Sequence, residues 1–129
     1  MRQIDHFIAG GAGSAGTGRT HKIWNPSTGE IQAEVALGDA ALLDRAVETA
    51  RKVQPGWAAT NPQRRARVMF EFKRLVELHK QELAELLSSE HGKVVDDAHG
   101  DVQRGLEVIE FACGIPQVLK GEYTNGAGP

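Results

Sequence analysis

Apolar and polar positions change rhythm once along this chain, near residue 38. Before it, alternation at period two dominates. Ile4-Asp5-His6-Phe7-Ile8 is a short alternating run, and Ile31, Ala33, Val35 and Leu37 alternate with Gln32, Glu34 and Ala36. His21-Lys22-Ile23-Trp24, the turn residues Asn25-Pro26-Ser27-Thr28-Gly29 and the run from Glu30 to Leu37 together predict a β-hairpin. Gly10 to Gly18 reads as a loose loop.

After Gly38 the apolar period is helical. Asp39 is an N-cap, its carboxylate available to free backbone N–H groups. Leu42, Leu43, Ala46, Val47 and Ala50 form one face. Pro55-Gly56 is the expected end, with Trp57 anchored in the core. Asn61-Pro62 starts a second helix, Asn as cap and Pro as first helical residue. Its stripe is Val68, Met69, Phe72, Leu75, Val76, His79, Leu83, Leu86 and Leu87, with a break expected near His79-Lys80 and Gly92 as the C′ residue. A third helix is predicted over Val95–Cys113, with Ala98, Val102, Leu106, Ile109, Ala112 and Cys113 apolar. Pro116 bends or restarts it. Gly105 lies inside that helix, where alanine would be better by about 0.5–1 kcal/mol. It points to close packing or ligand approach.

Three regions follow: a β-hairpin segment over 1–38, a helical part over 39–120, and a polar, glycine-rich segment over 121–129. A lone hairpin has too little sheet to be stable. The expectation is a mostly α piece, with a small β-hairpin region, of a larger fold.

Composition narrows the chemistry. The chain has 129 residues, a net charge of −2 and one cysteine. No basic field is available to hold a nucleic-acid backbone. One cysteine excludes an internal disulfide framework and a multi-cysteine metal site. No apolar run reaches bilayer-spanning length. Met1-Arg2-Gln3-Ile4-Asp5 has no signal- or transit-peptide character. The expected setting is cytoplasmic, with a small-molecule partner, no nucleic acid and no membrane.

Gly11-Ala12-Gly13-Ser14-Ala15-Gly16 fits G-x-G-x-x-G. A dinucleotide fingerprint requires a buried strand before it and a helix beginning within it. Asp5 and His6 spoil the strand, and Thr17 to Asn25 contains no helical pattern. Cys113 falls on an apolar stripe near a helix C-terminus, where the dipole disfavours a thiolate, so it reads as core. The five histidines include no H-E-x-x-H. Arg64-Arg65-Arg67 with Lys73-Arg74 is a basic patch with Glu71 and Glu77 close by, a salt-bridging surface or a phosphate site. Arg104 lies beside the apolar stripe. It could grip a carboxylate through two parallel N–H···O bonds, or pair with Asp101, Glu107 or Glu110 on its own helix.

A set of short matches adds to this. Asn25-Pro26-Ser27-Thr28-Gly29-Glu30, Asp44-Arg45-Ala46-Val47 with Ala50, Trp57, Arg64 to Arg67, Glu82-Leu83 and Glu90-His91-Gly92-Lys93 occur in an order and spacing that resemble the N-terminal segment of the aldehyde dehydrogenase superfamily, over about residues 20–125. The stretch from Gly100 to Pro116 looks like its CoA-acylating methylmalonate-semialdehyde dehydrogenase branch. The resemblance implies an α/β parent fold in which this segment forms helical layer and substrate-tunnel wall. It implies NAD as hydride acceptor, CoA as co-substrate, a homotetramer, and the rest of the parent polypeptide as partner.

In that family a cysteine thiolate attacks the aldehyde, hydride passes to NAD, and in this branch CoA takes the acyl group with loss of carbon dioxide. The family's nucleophilic cysteine lies downstream and Cys113 does not match it, so no catalytic or cofactor-binding residue is expected here. The arginine matching Arg104 holds the substrate carboxylate. Glu90 matches an acid that in some members holds a structural monovalent cation. The resemblance also implies that Pro129 falls just before the first long strand of the cofactor domain. Two alternatives stand beside this reading: another semialdehyde dehydrogenase, for instance for succinate semialdehyde, and a stand-alone helical protein-interaction domain.

Overall fold

A computed structural model describes residues 1–13, 18–122 and 125. Among the described residues the β region holds five strands: β1 (Arg2–Ile4), β2 (Phe7–Ile8), β3 (Gly11–Ala12), β4 (Thr20–Trp24) and β5 (Ile31–Ala36). β4 and β5 form the predicted antiparallel hairpin, Lys22 opposite Glu34 and Ile23 opposite Ala33, with an irregularity between Ile23 and Trp24. Asn25 closes the turn: its carbonyl accepts from Gly29 N at 2.8 Å and its Oδ1 from Ser27 N at 2.9 Å.

The single run predicted over Ile4–Ile8 is instead split. Arg2–Ile4 leaves to pair in parallel with β5, Ile4 opposite Val35, giving a three-stranded sheet in the order β1-β5-β4. Phe7–Ile8 pairs antiparallel with Gly11–Ala12 as a separate ribbon, where a loose loop was expected. The hairpin therefore does acquire a third strand, which local periodicity cannot reveal because its partner is about thirty residues away.

The helices are α1 (Ala40–Ala59), α2 (Pro62–Leu78), α3 (Lys80–His91), α4 (Val95–Cys113) and the short α5 (Ile115–Val118). Asp39 caps α1 by accepting from Leu42 N at 2.8 Å, and Asn61 caps α2 by accepting from Gln63 N at 2.9 Å. The break falls at His79 (φ −100°, ψ 16°), and Gly92 ends α3 in the left-handed region at φ +86°. Gly114 separates α4 from α5, so Pro116 sits in the first turn of a new helix.

α1 departs from expectation in two ways. It continues through Pro55-Gly56 to Ala59. Residues 51–59 are all exposed, so the carbonyl that the proline ring deprives of a donor meets water. For the same reason Trp57 is not a core anchor: it is 47% exposed.

α2 and α3 both pack on α4. Among the described residues the buried apolar ones are Ala33, Leu42, Ala66, Ala84, Ala98, Leu106 and Cys113, and none of the larger ones is fully enclosed. Alanines at the contacts let helix backbones approach closely. The predicted α2–α3 stripe is accordingly divided. Met69, Val76, Leu86 and Leu87 are half-buried, whereas Val68, Phe72, Leu75 and Leu83 remain exposed. The accessible surface is 9662 Å². A compact chain of this mass would show about 6,700 Å². Open apolar faces such as Leu43, Val53 and Phe111 contribute to the excess.

Among the described residues, polar contacts dock the sheet on the C-terminal end of α3. Gln32 Nε2 donates to Ser89 O at 3.1 Å, and Arg2 Nη2 pairs with Glu90 Oε1 at 3.1 Å. A Cβ on Gly92 would stand 2.8 Å from Pro26 Cγ in the hairpin turn.

Candidate functional site

Arg104 projects from the middle of α4, and its side chain is 78% exposed. Its guanidinium turns back toward the helix N-terminus, as long helical side chains do. There Nη1 donates to Asp101 Oδ1 at 3.3 Å. It also passes over Gly100, where a Cβ would lie 4.0 Å from Nη1. The ion pair with Asp101 foreseen on the same helix is therefore formed. It uses one of five N–H donors and leaves the rest of the fork turned to the surface.

The other oxygen of Asp101 is taken by Lys93. Nζ of Lys93 donates to Asp101 Oδ2, and the lysine side chain is only 20% exposed. Lys93 is brought there by the turn between α3 and α4. Gly92 adopts its left-handed backbone, and Ser88 Oγ donates to Lys93 O at 2.7 Å. The hydrogen bond from Lys93, with the charges of Lys93, Arg104 and His91, holds the Asp101 carboxyl below its ordinary range, against the opposing effect of desolvation. Lys93 was not foreseen as part of this group. It is eight residues from Asp101, and only the three-dimensional turn brings the two together.

Glu90 is close in sequence but differently engaged. Its Oε1 accepts from Arg2, so a cation at Glu90 would compete with that guanidinium. Among the described residues no group of three or more His, Cys, Asp and Glu side chains comes together.

The remaining candidates stand apart. Cys113 is buried on the inner face of α4, as its place in the stripe predicts. Within Gly11–Gly16, Gly11 and Ala12 lie in β3 and the next element is the strand β4. Among the described residues no helix N-terminus follows to receive a pyrophosphate, and Ser14 to Gly16 lie outside them. In the basic patch Arg74 pairs with both oxygens of Glu71, at 2.9 and 2.7 Å, and Lys73 with Glu77 at 2.5 Å. These contacts lower Glu71 and raise Arg74 and Lys73 from their ordinary values. A salt-bridging face accounts for them. Gly105, expected to mark close packing or ligand approach, has open space where its Cβ would be, so packing within this chain does not require it.

Comparison with known proteins agrees with this architecture. The aldehyde dehydrogenase family model matches residues 14–128. Malonate-semialdehyde dehydrogenase of Pseudomonas aeruginosa is 42% identical over 124 residues, which is 96% of this chain and 25% of that protein. A Sinorhizobium meliloti protein described as a methylmalonate-semialdehyde dehydrogenase, solved with NAD, is 55% identical with a TM-score of 0.92, over 100% of this chain and 26% of its own. Methylmalonate-semialdehyde dehydrogenase of Oceanimonas doudoroffii shows 42% identity and a TM-score of 0.92, with 100% and 26% covered. The chain thus spans about a quarter of the length of these relatives. No helix among the described residues is long and apolar enough to cross a membrane. With the family model matching nearly the whole chain and the same fold in these solved relatives, the chain belongs to the aldehyde dehydrogenase family.

Proposed function

We propose that this chain is the N-terminal quarter of an NAD-dependent, CoA-acylating methylmalonate-semialdehyde dehydrogenase, cytoplasmic and homo-oligomeric when whole. The observation that carries the reading is the 55% identity, over the full chain, to the Sinorhizobium meliloti protein. NAD as hydride acceptor and CoA as acyl acceptor belong to the parent enzyme, and no residue of this chain is assigned to either.

The role of this chain is to hold the substrate. Malonate and methylmalonate semialdehydes carry a carboxylate beside the aldehyde. Arg104 offers a planar, permanently charged fork, exposed and with donors to spare, which suits bidentate capture of a carboxylate. Such capture fixes the far end of the substrate and so orients the aldehyde toward a nucleophile supplied by the rest of the polypeptide. The isolated 129 residues should oxidise no aldehyde.

The test is made on the full-length enzyme. Arg104→Leu should raise KM for malonate semialdehyde by about 10- to 100-fold, the worth of a charge-assisted hydrogen-bonded pair. KM for propanal, which lacks the carboxylate, should change little. Equal effects on both aldehydes would overturn the assignment. CoA dependence of product formation separates this enzyme from a succinate-semialdehyde dehydrogenase.

A further inference from the structure

Arg104 is a member of a three-charge group whose other members have no stated role. Asp101 lies between two cations. Lys93, largely covered, holds Oδ2, and Arg104, largely exposed, holds Oδ1 at 3.3 Å. An arginine paired with an aspartate alone is a neutral unit. Such a pair attracts an incoming carboxylate weakly, because the nearby aspartate repels it. With Lys93 included, the group carries one net positive charge, and the exposed end of it is the guanidinium.

Resting on the substrate role proposed for Arg104, we propose that Lys93 and Asp101 are specificity-determining positioning residues for the carboxylated aldehyde. Asp101 keeps the guanidinium laid over Gly100, and Lys93 neutralises Asp101 so that Arg104 keeps its charge for the substrate. Lys93 does this without touching substrate. The placement is fixed from outside the site: the left-handed Gly92, wedged against Pro26, sets the turn from which Lys93 emerges. Selectivity for a carboxylate is thereby tied to the docking of the hairpin on α3.

The experiment compares malonate semialdehyde with propanal in the full-length enzyme. Lys93→Met keeps the aliphatic stem and removes the charge. It should raise KM for malonate semialdehyde by about fivefold, the scale of one partly exposed charge pair, with propanal unchanged. Lys93→Arg should restore the parent value. The double variant Lys93→Met/Asp101→Asn removes both opposite charges and leaves an amide oxygen to accept from Arg104, so its KM for malonate semialdehyde should return toward that of the parent. A structural role for Lys93 would instead move both aldehydes together, or leave the double variant no better than Lys93→Met, and either result overturns the inference. Arg104→Leu run alongside distinguishes the two failures. If Arg104→Leu is carboxylate-selective and Lys93→Met is not, the three-charge inference falls alone. If Arg104→Leu affects both aldehydes equally, the substrate role of Arg104 falls and this inference with it.

Discussion

Gly92 and Pro26 are so close that a Cβ at position 92 would lie 2.8 Å from the proline Cγ, inside the distance real Cβ atoms keep. The glycine also needs its φ of +86° to end α3. Backbone handedness and close approach are thus met by one residue. Gly92→Ala should destabilise the chain by about 1–3 kcal/mol, read as a fall in the urea midpoint. Pro26→Ala combined with it should recover part of that loss. A cost unchanged by Pro26→Ala would assign it to the backbone alone.

Leu106 is the largest of the three buried residues on α4, 4% exposed on the helix against which α2 and α3 pack. Leu106→Ala should cost about 2–5 kcal/mol in urea unfolding of the chain. Ala98→Leu, at a position with no exposed surface, should cost about 1–3 kcal/mol by overpacking instead. Both directions of volume change should hurt, because an alanine seam has little slack.

The acid limb of stability should depend on Asp101. Its carboxyl titrates below the ordinary value of 3.8 in the folded chain, held down chiefly by the hydrogen bond from Lys93. The folded state therefore binds this proton less readily than the unfolded state does. The contribution is fully present above the ordinary carboxylate range and is lost as pH falls through the lowered folded value. Asp101→Asn should accordingly cost more stability at neutral pH than near pH 2, in paired urea titrations. An equal cost at both would assign the effect to packing.

The open apolar faces predict association of the isolated chain. Leu43, Val53, Phe70 and Phe111 are 64%, 65%, 58% and 72% exposed. Sedimentation should show an apparent mass that rises with concentration, and a hydrophobic dye should bind the chain. Phe111→Glu with Leu43→Glu should reduce both signals. A concentration-independent mass of 14.0 kDa with no dye binding would contradict this.

The local features were legible in the sequence where local chemistry decides them. Asp39 and Asn61 cap as their side chains dictate, His79 marks the break, and Gly92 ends α3. The misreadings share a cause, which is dependence on distant or missing partners. Ile4 reads as part of a run with Phe7 until β5 claims it. Trp57 reads as core, and Pro55 as a stop, only if the end of α1 is covered, and here it faces water. At the candidate site Arg104 and Asp101 are visible as neighbours on one helix. Lys93 is not, because the turn at Gly92 is what turns a gap of eight residues into a contact.

The pairing of Arg2 with Glu90 carries a consequence for how the chain is made. Eighty-eight residues separate the two. At ordinary translation rates that interval lasts on the order of 4–18 s. β1 is therefore synthesised before both of its partners and settles late, waiting first for β5 and then for the end of α3. Until both partners have been made, the edge of β1 is unpaired and open to a chaperone.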